Sequence, residues 1–293
     1  MPDRSIVISG LPGSGKTTFL AALWHLISVR EEPETKLKFE SLRSGDHKHL
    51  NEITARWQAA REQIHTHAAS EKLVSMNLKD PAGETFRVTF PDLSGESYQH
   101  MWEARECGND LVDILRSGHG ILLFAHADKI VRPLTVAEVI GKERRMGITG
   151  GVPGKPADWH PKFAPTQVQL VDLLQMLRSP QLNVRAEKLG IVLSAWDKVE
   201  IEQREPATYL TETMPLVDQY LKGGAGGWDY RVYGVSAQGG EYEPQVKQGQ
   251  IVAPDLQAKI EEMRRIPNAA SRIRLFSPAL SNDLTEPLAW LME

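Results

Sequence analysis

Apolar positions along the chain alternate between two spacings, one of strands and one of helices. Ser5–Ser9 (SIVIS) is a short β-branched run, which predicts a strand buried on both faces. Beyond a glycine-rich turn, Phe19, Leu20, Leu23, Trp24 and Ile27 fall three and four apart and predict a helix. Leu50, Ile53, Trp57, Ala60 and Ile64 repeat that spacing, so an amphipathic helix is expected over Asn51–Ala69. Leu73–Leu78 and Thr85–Phe90, joined by Lys-Asp-Pro-Ala-Gly-Glu, predict a β-hairpin, and Gly118–Ala125, Leu189–Ser194 and Tyr230–Ser236 predict three more strands. Surface helices are expected over Gln167–Leu177 and Thr208–Leu221, the second stopped by Gly223 and Gly224. The tail predicts a helix over Asp255–Arg264, an added strand over Ser271–Phe276 and a last helix near Thr285–Met292. Periodicity is lost between Gly141 and Thr166, a Gly/Pro-rich basic stretch whose length marks a functional or a disordered loop. Strands alternating with helices predict an α/β fold with a mainly parallel sheet.

Composition narrows the class. The 293 residues, 41% hydrophobic and 25% charged, are those of an ordinary globular protein. The net charge of −4 argues against direct nucleic-acid binding, and the one cysteine, Cys107, excludes an intrachain disulfide framework and fits a reducing cytoplasm. No run reaches the length of a membrane span, and the amino-terminal segment lacks the pattern of a signal peptide, so a cytoplasmic protein is expected.

The first strand leads directly into Gly10-Leu-Pro-Gly-Ser-Gly-Lys16-Thr17-Thr18, which fits GxxxxGK[ST] between a strand and a helix. Gly10, Gly13 and Gly15 let the backbone turn its amides inward on a phosphate, with Ser14 and Thr18 in the same cradle, and the helix opening at Lys16 adds its positive end. Lys16 is then expected to neutralise the β and γ phosphates and the Thr17 hydroxyl to ligate Mg2+. Alternate histidines, His47/His49 and His65/His67, flank the inserted helix without a cysteine or carboxylate cage and read as solvated side chains.

Three further elements follow strands in order. Asp92-Leu-Ser-Gly95 is a DxxG turn after the Thr85–Phe90 strand, Ser194-Ala-Trp-Asp197-Lys198 follows the fifth core strand, and Ser236-Ala237 follows the sixth. Each is weak alone, but the order resembles the translation-factor-related, Ras-like branch of P-loop GTPases. Within that branch the late Trp-Asp-Lys and the ending Glu286–Glu293 resemble the bacterial double-GTPase family associated with conflict or defence gene clusters. The resemblance implies a P-loop three-layer sandwich: six strands, one of them an antiparallel edge strand, with helices on both faces. It implies that Asp92 holds Mg2+ through water, that the Gly95 amide senses the γ-phosphate, and that Ser236 and Ala237 contact the guanine oxygen. Asp197 takes the place of the guanine-reading aspartate: a carboxylate only accepts, which suits guanine's two donors. Trp196 or Lys198 is the candidate to stack or pack on the base. Ser194 and Ala195 depart from the family's Asn and Lys, so ATP stays open beside GTP/GDP.

Glu96 stands where Ras-like enzymes carry a water-orienting Gln. Lacking an amide donor and adding negative charge, it implies slow hydrolysis and a switch that works with a protein effector or activator. A nucleotide-binding scaffold without hydrolysis and an ATP-using kinase are the alternatives. One domain over residues 1–293 is expected, with insertions at about 31–71 and 141–166 and a 241–293 extension packed on it. Thr35 or Thr66 is the candidate first-switch threonine, and Arg144, Arg145 and Lys155 are candidates to reach the phosphates.

Overall fold

The computed structural model describes residues 4–28, 35–63, 72–92, 95–135, 137–138, 140, 160–200, 204–245 and 252–293, leaving aside the side chains of 72, 92, 95, 96 and 162. His65, Thr66, His67, Arg144, Arg145 and Lys155 lie outside that set. Among the described residues nine strands form one sheet: β1 (Ser5–Gly10), β2 (Lys38–Ser44), β3 (Lys72–Lys79), β4 (Thr85–Asp92), β5 (Gly120–His126), β6 (Lys188–Ser194), β7 (Asp229–Ser236), β8 (Arg274–Ser277) and β9 (Ala279–Ser281). Their order is β2-β3-β4-β1-β5-β6-β7-β8-β9. The central strands β4, β1, β5, β6 and β7 are mutually parallel, and β3 runs antiparallel to β4. These are the six strands expected. The sheet grows beyond them through β2 on one side and the β8–β9 hairpin on the other, all antiparallel.

Alternation along the apolar strands sends neighbours to opposite faces. Ile6, Ile8, Leu122, Phe124 and Tyr233 pack with α1 (Lys16–Ser28), α2 (His47–Gln58) and the last helix, Glu286–Met292. Val7, Ile121, Leu123, Leu189 and Ile191 pack against a second layer that includes Leu115, Leu174, Leu210 and Val217. That layer comprises α4 (Asn109–Ser117), α5 (Thr166–Arg178), α6 (Pro206–Thr213) and α7 (Pro215–Lys222). Helices on both faces of a mostly parallel sheet give the three-layer sandwich of P-loop proteins. Further helices are α3 (Gly95–Ala104), α8 (Pro254–Arg264) and α9, the Glu286–Met292 helix. No helix among the described residues is long and apolar enough to cross a membrane.

Several boundaries differ from the sequence reading, each for a local reason. The inserted helix starts earlier, where the Asp46 side chain accepts from the Lys48 amide, and ends at Gln58, because Ala60 turns to a φ of 48°. Thr208–Leu221 is two helices, since Pro215 opens α7 and cannot continue the turn before it. The strand β2 escaped notice because register shifts between Phe39 and Ser41 and between Leu42 and Ser44 break its alternation.

Candidate functional site

The parallel register brings every expected motif to the carboxyl ends of the central strands. Gly10 pairs with Phe124, His126 with Ser194, and Ser194 with Val235. Continuing the register that pairs Val7 with Thr89 puts Asp92 level with Gly10. Such a row of strand ends is where open α/β sheets bind ligands.

The glycine-rich loop has the backbone its sequence requires. Gly10, at φ 148°, lies so close to β5 that an added Cβ would stand 2.5 Å from the Phe124 carbonyl oxygen. Gly13 and Gly15 have φ of 65° and 85°, open to glycine at no steric cost. The Ser14 amide donates to Leu11 O at 3.2 Å, closing the turn, and Lys16 and Thr17 open α1 behind it. The Lys16 ammonium donates to Gly10 O at 2.9 Å and Leu11 O at 3.0 Å. Its charge thus lies across the mouth of the loop. Lys16 and Thr17 line one small cleft with Phe90 and Pro91, so the first turn of α1 and the end of β4 face each other. A hydroxyl at Thr17 and a carboxylate at Asp92 are hard oxygen donors, and Mg2+ is commonly held by one or two such groups plus phosphates. Residues of these types suit Mg2+, and the described residues contain no group of three or more His, Cys, Asp or Glu that could hold a metal ion.

Thr35 does not belong here. It precedes Lys38, which pairs with Lys79, and Lys79 pairs with Thr85 at the start of β4, a strand's length from Asp92. Its buried hydroxyl donates to Leu37 O at 2.9 Å, and the Leu37 amide in turn donates to Thr285 Oγ1 at 3.1 Å.

Beyond β6, Ala195 turns left-handed at φ 52° and starts a single 3-10 turn, Trp196–Lys198. Trp196 is buried, stacked edge-on to Tyr209 at 5.3 Å and packed over Gly234, where a Cβ would come within 2.6 Å of the indole. This anchor presents Asp197 to Ser236, whose hydroxyl donates to the Asp197 carboxylate. Asp197, Ser236 and Ala237 thus form one contiguous feature. Lys198 pairs with Glu241 at 3.6 Å. Ser194 lies beneath the phosphate loop, 3.0 Å from a Cβ at Gly15, and its buried Oγ has no hydrogen-bond partner among the described residues.

Two side chains at the site were missed by the sequence reading. His126, level with Ser194, has a buried Nδ1 without a partner. Burial, reinforced by the nearby Lys129, pushes its pKa down to about 4, against an opposing pull from Asp128. An unfolded histidine takes its proton near pH 6.5, so this group's share of stability is complete above that pH and is lost as the pH falls towards 4. Thermal unfolding of His126→Asn across that window should therefore show a flatter pH profile than the parent; parallel profiles would sink the assignment. Tyr98 lines a cavity of about 60 Å3 with Ile8, Pro12, Lys16 and Pro91. Its buried hydroxyl has no partner among the described residues, and desolvation, with the Asp172 charge behind it, pushes the phenol pKa up. The sequence signal was faint, a histidine closing an apolar strand and a tyrosine one turn into the helix after DxxG. The α3 helix is held to α5 by Asp172, which accepts from Trp102 Nε1 at 2.8 Å and pairs with Arg105.

The model of the Double-GTPase 1 family matches residues 7–291, from the first strand through the last helix. The chain belongs to the Double-GTPase 1 family. No curated protein matches it. Among solved structures, it is 11% identical to the GTP-bound GTPase-like domain of S. cerevisiae Ski7, with a TM-score of 0.43 over 89% of this chain and 50% of that one. Against Sup35 complexed with GDP the identity is 14% and the TM-score 0.35, over 82% of this chain and 38% of that one. Against the signal recognition particle receptor SRb-GTP/SRX complex from Chaetomium thermophilum the values are 11% and 0.37, over 89% and 99%. The chain spans about half the length of the Ski7 structures it matches. Membership in the family agrees with the resemblance read from the four motifs.

Proposed function

We propose that this chain is a Mg2+-dependent guanine-nucleotide switch that hydrolyses GTP to GDP slowly and signals to a protein partner in a bacterial cytoplasmic system. The observation that carries the proposal is the Ser236–Asp197 hydrogen bond, in the same row of strand ends as the phosphate loop. Phosphate and base are then bound from one edge of one sheet. Gly10, Gly13, Ser14, Gly15 and Thr18 would cradle the phosphates, Lys16 would neutralise them, and the Gly95 amide would meet the γ-phosphate. Asp197, braced by Ser236, would accept from guanine N1–H and the exocyclic amine, with the Ala237 amide on the guanine oxygen and Lys198 along the base. Thr17 and Asp92 would hold Mg2+, which when bound offsets charge on the β and γ oxygens.

Hydrolysis forms a bond from a water oxygen to the γ-phosphorus and breaks the bond to the β–γ bridging oxygen, with the water proton ending on phosphate. Glu96 stands at the start of α3. As a carboxylate it can accept from that water but cannot donate, and its charge opposes the γ-phosphate. Turnover on the order of 10⁻⁴ s⁻¹ follows for an unassisted enzyme of this kind.

The test is a titration of nucleotide-free protein with Mg·GTP and Mg·ATP, following binding and phosphate release together. GTP preference with slow release is expected, and Glu96→Gln should change the rate with little change in affinity. Equal binding of both nucleotides would overturn the guanine reading. Tight GTP binding with no release, in parent and variant alike, would leave a nucleotide-binding scaffold.

A further inference from the structure

The inserted helix α2 reaches the proposed base side of the site through Trp57. Trp57, fully buried, donates its indole N–H to Ala237 O at 2.8 Å. The next residue is tied back to the same tryptophan, since the side-chain Nε2 of Gln238 donates to Trp57 O at 3.3 Å. Ser236 is fixed from the other side by its bond to Asp197. Ala237 is thus pinned on both flanks, and its amide has little freedom left.

Trp57 is in turn held in place. As the helix ends at Gln58, its last carbonyls lose their partners within the helix and need donors from elsewhere. Trp57 O takes the Ala60 amide at 3.0 Å, and Arg272, only 4% exposed, donates to Trp57 O at 3.1 Å and to Gln58 O at 3.3 Å, with its guanidinium 4.7 Å from the Trp57 ring centre. Arg264 on α8 donates to Ala59 O at 2.8 Å. Gly239, at φ 78°, lets the base loop wrap against Arg272, where a Cβ would stand 2.1 Å from the Arg272 carbonyl oxygen. Cations at a helix carboxyl end are favourable, so the insertion is locked at the end that meets the loop.

We infer that Trp57 is a positioning residue for base recognition: through its bond to Ala237 O it holds the Ser236–Ala237 backbone in the orientation that accepts a guanine. The inference rests on the reading of Asp197, Ser236 and Ala237 as the base site. A tryptophan that only filled the core would leave base preference untouched when its N–H is removed.

Trp57→Phe keeps an aromatic ring and removes the donor. The ratio of GDP to ADP affinity, measured by calorimetry, should fall about five- to tenfold, the worth of one hydrogen bond. Arg272→Lys, which keeps the charge but not the paired donation to Trp57 and Gln58, should move the ratio the same way if Trp57→Phe does not fold. Ile53→Val, a core change on the same helix, should lower the melting temperature and leave the ratio alone. A folded Trp57→Phe with the parent ratio overturns the inference by itself. A parent protein without guanine preference overturns the base-site reading and this inference with it, and that result is visible before any variant is made.

Discussion

Lys16→Ala is expected to lower the affinity for Mg·GTP and Mg·GDP by two to three orders of magnitude, on the order of 3–4 kcal/mol, as when one partner is removed from an enclosed charge pair. Its ammonium is the cation at the mouth of the loop, within hydrogen-bond reach of Gly10 O and Leu11 O. A polyphosphate would draw it off those carbonyls and onto the β and γ oxygens. Without it the loop offers amide dipoles and the end of α1 alone. Folding should survive, because Lys16 is partly exposed and the loop's shape rests on its glycines and the Ser14–Leu11 bond. Calorimetry on the folded variant decides the matter, and near-parent affinity would remove the phosphate-loop assignment.

Asp197→Asn should weaken GTP about ten- to a hundredfold while changing ATP far less, since the carboxylate accepts two donors that guanine has and adenine lacks. The amide oxygen of Asn can still accept from Ser236, so the turn keeps its shape and the change falls on the base. Competition of GTP and ATP against one labelled nucleotide gives both constants in one experiment. An equal loss for both would place base reading elsewhere.

Much of this architecture could be read from the residues because its signals are local. An apolar β-branched strand, a glycine-rich turn and an apolar helix in succession leave few alternatives, and each later motif follows a strand whose end the register fixes. Elements were lost where local signals mislead. Bulges hide β2, Pro215 splits what reads as one amphipathic stretch, and α4 is so short that its apolar stripe, Leu111, Val112, Ile114 and Leu115, fills barely one turn. The proposed base side was legible in part. Asp197 and Ser236 could be aligned singly, but their bond spans 39 positions and the Trp57–Ala237 bond spans 180, distances at which one sequence carries no pairing signal. Thr35 shows the reverse error, a residue of the right type at a plausible distance along the chain that the hairpin carries to the wrong end of the sheet.

The turn bearing Asp197 rests on aromatic volume, Trp196 wedged over Gly234 against Tyr209 and Phe276. Apolar contact of this kind is driven largely by entropy near room temperature and loosens on cooling, whereas a brace of hydrogen bonds does not share that dependence. The turn that carries Asp197 thus has two supports with different responses to temperature: the aromatic wedge loosens in the cold, while the bond from Ser236 does not share that loss.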